Sequence, residues 1–308
     1  MIATIVFVAI ITTVIIQGIT PTYYQPQGVI KDWFSAMTIA GSLSIFINIT
    51  TIILTAVLFN KMAIQYRLIK ENSLLPICFI LLFLTLQPSL ITYFSLPNIV
   101  TLMLGVAILI LYSSYQDNQA TEKCFIIGLL FAICGIFYAR ALYLLPIFIP
   151  GMMQMQIGSF KTFAALIIGL ITPYWIIWGM GCADISQANI DALAITLQMP
   201  VFTTETLSVL FIALLGLFAG VCNLINAYND NIKSRAMNGF INILSVYTCL
   251  IMIIDNSHHT AYYPLLCSCV ALQLSYFFTS RQERTYRIIF FVLVALLISL
   301  QTWIYWIK

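Results

Sequence analysis

The sequence predicts an all-α polytopic transmembrane helical bundle, a single membrane domain over residues 1–308 with no soluble domain. Three observations predict it. Hydrophobic side chains make up 62% of the chain and charged ones 7%, against about 25% charged in a soluble domain. Mean hydropathy is +1.02, and apolar runs of ~18 residues or more, each enough to approach the thickness of a bilayer, recur to the end of the chain. Basic residues gather in alternate connecting segments, the pattern that orients membrane proteins. These features exclude soluble enzyme folds, nucleic-acid-binding modules, secreted disulfide scaffolds and disordered tails.

Eleven apolar segments follow in order: 2–18, 35–60, 73–93, 96–113, 124–138, 141–156, 162–179, 204–226, 237–254, 261–279 and 288–306. The first has no basic residue ahead of it and no small-x-small cleavage site behind it, so it reads as an uncleaved span and not a signal peptide. Arg140 interrupts the fifth and sixth segments, and Pro146 and Pro150 fall inside the sixth. Residues 124–156 therefore form either two full spans or one broken, re-entrant pair, which leaves eleven spans or ten. Seven of the eight cysteines (Cys78, Cys124, Cys134, Cys222, Cys249, Cys267 and Cys269) lie in or beside apolar runs, where they act as small packing residues. Only Cys182 falls in an expected external loop.

Charge sets the expected orientation. With the N-terminus in the cytoplasm, the inside segments hold Lys61, Arg67, Lys70, Lys123, Lys161, Lys233, Arg235, Arg281, Arg284 and Arg287, ten of the thirteen basic residues. Lys31, Arg140 and Lys308 remain outside. The positive-inside bias selects this topology. Trp175, Trp178, Tyr262, Tyr263, Trp303, Tyr305 and Trp306 then fall at the outer headgroup level, where amphipathic rings settle. The longest external segments are 19–34 and 180–203, the cytoplasmic ones are short, and no Gly-rich phosphate loop is present. The chain carries no ATP-driven motor of its own.

Several polar residues stand out against this apolar background. Arg140 is flanked by apolar sequence on both sides, and an ionisable group near membrane depth is costly unless it has a function or reaches the headgroups. Its guanidinium suits a lipid phosphate, which it can grip with two parallel hydrogen bonds. Asp32, in the first external loop, is either a solvated helix-capping acid or a general base for an acceptor hydroxyl. Glu205, in the first turn after Thr203 and Thr204, is either an acid that complements a helix N-terminus or a second catalytic carboxylate facing the same compartment. Asp255, His258 and His259 share one external loop. Three such ligands without a clear fourth fall short of a closed zinc set, so the loop reads as polar, with a histidine available for proton transfer.

Within the spans, Asn48, Gln87, Asn223, Asn226 and Gln273 need partners from other helices, because lipid offers none. Asn223 and Asn226 share a helix face. Gly216 and Gly220, four apart, let another helix approach closely and form a candidate face for a membrane-protein partner. The basic loops 61–73 and 280–287 are topology determinants that can also dock anionic lipid headgroups or a polyprenyl phosphate.

Two stretches carry a resemblance. NKMAIQYRLIKENSLLP, residues 60–76, resembles a family of uncharacterised polytopic inner-membrane proteins from Bacteroidetes. GLLFAICGIFYARALYLLPIFIPGMMQMQIGSFKTFAALIIGLITPYW, residues 128–175, resembles the same family and also looks like the middle of GT-C glycosyltransferases. There a Gly-rich helix, an Arg and a Leu-Pro run precede a basic cytoplasmic turn. That resemblance implies a bacterial inner-membrane enzyme that uses a polyprenyl-phosphate-linked sugar at the outer face. It makes Asp32 the base and Arg140 the phosphate partner. The first loop here is short, and its acid lies at the loop's end. A transporter or flippase for a lipid or small solute, and a non-catalytic subunit of an envelope complex, are the alternative expectations.

Single cysteines placed at Gln27, Ala188 and Ser257 are expected to react with a membrane-impermeant maleimide in intact cells. Those at Gln65, Asn118 and Glu283 are expected to react only after permeabilisation. The opposite labelling pattern would reverse the orientation.

Overall fold

The computed structural model describes residues 22–23, 38–39, 41–69, 73–92, 95–117, 120–181, 204–226, 230–280 and 284–307. The expected first span 2–18, Asp32, Cys182 and most of the segment 180–203 lie outside the described residues. Two short strands, β1 (Thr22–Tyr23) and β2 (Thr38–Ile39), pair antiparallel. Helices follow: α1 Gly41–Gln65, α2 Leu75–Leu84, α3 Ser89–Thr92, α4 Leu96–Ser113 and α5 Ala120–Phe137. A 3-10 helix over Ala139–Ile147 leads into α6 Phe148–Gln154 and α7 Phe160–Gly179. Next come α8 Thr204–Asn226, α9 Ile232–Ile254, a second 3-10 helix Asn256–Ala261, α10 Tyr263–Ser280 and α11 Arg284–Ile307. Among the described residues, six helices (α1, α4, α5, α7, α8 and α9) are long and apolar enough to cross a membrane. The chain is a multi-pass helical membrane protein.

Two expected segments are broken by their prolines. Segment 73–93 stops at Thr85, turns through Gln87 and Pro88, and resumes as the four-residue α3. Segment 141–156 is not one α-helix. Nine residues around Pro146 take the tighter 3-10 path, and seven more complete α6. Proline removes an N–H and clashes with the preceding turn, which disfavours a continuous α-helix through it. At about 2.0 Å per 3-10 residue and 1.5 Å per α residue, the pair advances about 28 Å, close to a hydrocarbon thickness. Its far end is anchored: the Gln116 N–H donates to the Met155 carbonyl at 3.1 Å, and the Gln116 amide donates to the Gln156 side chain at 2.7 Å. Residues 139–154 thus run the length of the bundle as a broken rod.

Hydrogen bonds set the directions of the helices. Asn48 of α1 meets Asn98 of α4 near their starts, and Tyr66 reaches the Leu109 carbonyl near their ends, so these two helices are parallel. Tyr112, at the end of α4, donates to the Met237 carbonyl near the start of α9, so those two are antiparallel. Lys123 at the start of α5 donates to the Ser113 carbonyl. One end of the bundle therefore gathers Arg67, Lys123, Lys161, Lys233 and Arg235. The opposite end holds the starts of α1, α4 and α10, and the ends of α5 and α9.

The closest packing joins α5 to α7. A Cβ on Gly128 would overlap the Leu166 carbonyl oxygen, and one on Gly169 would overlap that of Phe125. Backbone touches backbone there, which small residues permit in a membrane where apolar burial does not drive association. The Gly216/Gly220 face, expected to receive a partner, is covered by the chain itself. A Cβ on Gly216 would meet Val270 of α10, and Gly220 lies against Asn242 of α9 and Gln273 of α10. Tyr262 and Tyr263, expected in an aromatic belt, are fully buried, because their hydroxyls have partners inside the bundle. Trp175 and Trp178 do lie on the surface of the chain, 69% and 56% exposed.

Gly128→Val is expected to destabilise the detergent-solubilised chain by about 1–3 kcal/mol, the usual cost of overpacking. Gly179→Val, where nothing lies within 4 Å, should cost far less. Thermal unfolding of both variants checks this.

Candidate functional site

The end opposite the basic cluster holds a buried ion pair. Helix α5 ends at Phe137, and Tyr138 adopts an extended backbone, φ −148° and ψ 96°, before the 3-10 helix begins. That turn brings Arg140 inward, to 5% exposure. From the other side, α9 ends at Ile254, and Asp255 leaves the helix at φ −104° and ψ 57°, 1% exposed. The Arg140 guanidinium donates to Oδ2 of Asp255. The same oxygen accepts from the Tyr262 hydroxyl at 3.1 Å, and Oδ1 lies 3.4 Å from the Ser257 hydroxyl. Tyr247 of α9 donates to the Tyr143 carbonyl at 2.8 Å, a second tie between α9 and the first 3-10 helix.

Arg140 does not snorkel to the headgroups: its charge is neutralised within the protein. A guanidinium left unpaired at such burial would be strongly unfavourable, so a carboxylate from another element is the expected solution. Burial lowers His258 below its ordinary 6.5, and the nearby Arg140 charge lowers it further, against an opposing pull from Asp255. His258 is thus neutral at pH 7 and a weaker base than an exposed imidazole. Nδ1 of His259 faces the Asn256 carbonyl at 2.9 Å. A carbonyl only accepts, so Nδ1 carries the proton. Nε2 is buried and has no hydrogen-bond partner among the described residues.

The structure joins two residues that the sequence marked separately, Arg140 and Asp255, with His258 beside them. Asp255 turns to the arginine and not to the two histidines as a ligand set. Glu205 lies in the first turn of α8. That helix runs parallel to α10, because Gly216 lies against Val270 and Gly220 and Asn223 against Gln273, so its first turn lies at the ion-pair end. The Glu205 side chain is outside the described residues. All of Asp32 is outside them too, and the strands β1 and β2, which precede and follow it in sequence, lie close in sequence to the start of α1.

The amides form two further layers. Asn48 donates to the Leu90 and Ile91 carbonyls at 2.5 and 2.9 Å, and Asn98 donates to Asn48 and to Leu90. They hold carbonyls left open where the four-residue α3 ends. Gln87, fully buried at the break before α3, has neither side-chain atom bonded among the described residues. Gln273 donates to Asn242 and Ser245 at 2.9 and 2.7 Å, and its carbonyl accepts from Asn223. Asn226 is half-buried, one turn beyond Asn223 at the end of α8. The sequence marks Tyr262 only as a belt aromatic and does not single out Asn98, Asn242 or Ser245. The signal for the amides was available, since each lies inside an apolar run and needs a partner there. No protein-family model matches the chain, and no curated protein matches it either.

Removing one member of the ion pair, by Arg140→Met or Asp255→Leu, should cost about 3–5 kcal/mol because the other charge stays buried. The double variant should recover most of that loss. Unfolding of the detergent-solubilised single and double variants measures the coupling. Fully additive losses would mean that the pair does not interact.

Proposed function

We propose that the chain is a GT-C-like glycosyltransferase of a bacterial inner membrane. In this reading it has eleven passes, with the N-terminus in the cytoplasm and the basic end facing inward. It takes a polyprenyl-phosphate-linked sugar at the outer face. One observation carries this. Among the described residues, the two buried charges, Arg140 and Asp255, lie together at the end opposite the basic cluster. The first turn of α8, with Glu205, lies at that same end, and the strands that precede and follow Asp32 lie close in sequence to the start of α1. An enzyme that meets a lipid-linked donor at one face needs its ionisable groups at one end. Arg140 would receive the donor phosphate by exchanging part of its pairing from Asp255, Asp32 would deprotonate the acceptor hydroxyl, and Glu205 would support it.

A second reading, a transporter or flippase, is favoured by the broken rod 139–154 and by Gln87, buried and unbonded at the α2–α3 break. Transporters place such breaks and polar groups within the membrane. The third expectation, a non-catalytic subunit, loses its named docking face, since α10 and α9 cover Gly216 and Gly220.

The test is release of polyprenyl phosphate from a polyprenyl-phosphate sugar by purified protein in vesicles. Asp32→Asn should lower the rate about 10²–10⁴-fold. Arg140→Lys should lower it about tenfold or more, because an ammonium lacks the two-pronged grip on phosphate oxygens. Full activity in both variants would end the glycosyltransferase reading.

A further inference from the structure

The basic end carries a second site, independent of the glycosyltransferase reading. A cleft of about 390 Å³ opens there between the turn after α1 and the start of α9, lined by Ile64, Arg67, Ile69, Asp230, Asn231, Ser234 and Tyr276. That volume is within the range of small-ligand sites. We propose that this cleft binds a singly charged phosphate group, as in the phosphodiester headgroup of a phospholipid.

Four features support this. Helix α9 is 23 residues long and begins at the cleft without a side-chain cap, so the N–H groups of Ile232, Lys233 and Ser234 are left for a ligand. Such an end attracts anions through its free donors and its dipole. Ser234 is only 8% exposed, lines the cleft, and its hydroxyl has no hydrogen-bond partner among the described residues. The residue is enclosed by the chain on its other sides, so that hydroxyl opens on the cleft. Arg67 adds a guanidinium without an ion-pair partner among the described residues. It stands on a left-handed backbone, φ 52°, which a non-glycine residue rarely adopts. The turn that holds it there is closed by the Leu68 N–H on the Ala63 carbonyl at 2.9 Å. The neighbouring cation, Lys233, is drawn aside over the rings of Tyr66 and Tyr115, 5.7 Å from each centroid, so it shapes the field without filling the cleft.

Asp230 also lines the cleft, and the Tyr276 hydroxyl donates to its Oδ2. A carboxylate lining the cleft repels a doubly charged phosphate more than a singly charged one. This favours a phosphodiester over a monoester dianion. Free phosphate in its monoanionic form and a lipid headgroup offer the same chemistry, and the experiment separates them.

The full chain in detergent is titrated in two arms at constant ionic strength, with thermal unfolding as the readout. One arm uses inorganic phosphate at pH 6, where the monoanion predominates. The other uses short-chain phosphatidylglycerol against phosphatidylcholine of the same chain length. Saturable stabilisation by phosphate alone assigns a soluble anion. Saturable stabilisation by phosphatidylglycerol, with or without phosphate, assigns a headgroup. Arg67→Gln and Ser234→Ala should each weaken the apparent affinity about tenfold, as expected for the loss of a hydrogen bond to a charged group. Lys61→Gln removes the same charge from an exposed position outside the cleft and should leave the affinity within about twofold, since a screened surface charge contributes little. No saturable effect in either arm, or equal losses for Arg67→Gln and Lys61→Gln, would overturn the proposal. If Arg67→Gln fails to fold, Ser234→Ala alone decides.

Discussion

The Arg140–Asp255 ion pair ties together the two places where the bundle abandons regular α-helix. Arg140 opens the first 3-10 helix, and Asp255 stands at the exit of α9 just before the second. Each irregular turn exposes backbone groups that a low-dielectric surrounding does not solvate, and each would be unfavourable alone. Paired, the charges cancel, and Tyr262 and Tyr247 add bonds that hold both turns in place. The broken rod 139–154 can then begin at a fixed point and run to its second anchor at Gln116 and Gln156.

The same demand for internal partners explains the amide layers. The short α3 ends at Thr92 and leaves the Leu90 and Ile91 carbonyls without helical partners, and Asn48 and Asn98 supply the donors. Between α8, α9 and α10, Gln273 links Asn242 and Ser245 while Asn223 reaches its carbonyl. These bonds hold helices together where apolar contact alone gains little over contact with lipid. Gly128 and Gly169 act by shape instead, admitting α7 to the backbone of α5.

The two ends of the bundle differ in chemistry. At one, opposite charges are shut inside with hydroxyls and a neutral imidazole around them. At the other, cations stay near the surface, and one of them, Arg67, faces an open cleft. A buried neutral pair can be opened by a ligand that offers equivalent bonds, whereas an unpaired surface cation beside free helix N–H groups is ready for an anion without rearrangement.

Hydropathy and charge in the sequence were enough to determine helical spans such as 96–113 and 204–226, whose bounds the structure keeps, and the gathering of basic residues at one end. Those properties are local: a run of apolar residues must enter lipid whatever its neighbours do. The sequence also marked Arg140 as unusual, because the cost of burying a charge depends on the residue itself, and it marked Asp255 only as part of a polar external loop. Only the tertiary structure decided that these two, 115 residues apart, neutralise each other. It likewise decided that Tyr262 and Tyr263 turn inward and that Gly216 and Gly220 meet the chain's own helices. Pairing depends on which helices become neighbours and how each break aims the next segment, and one-dimensional periodicity records neither.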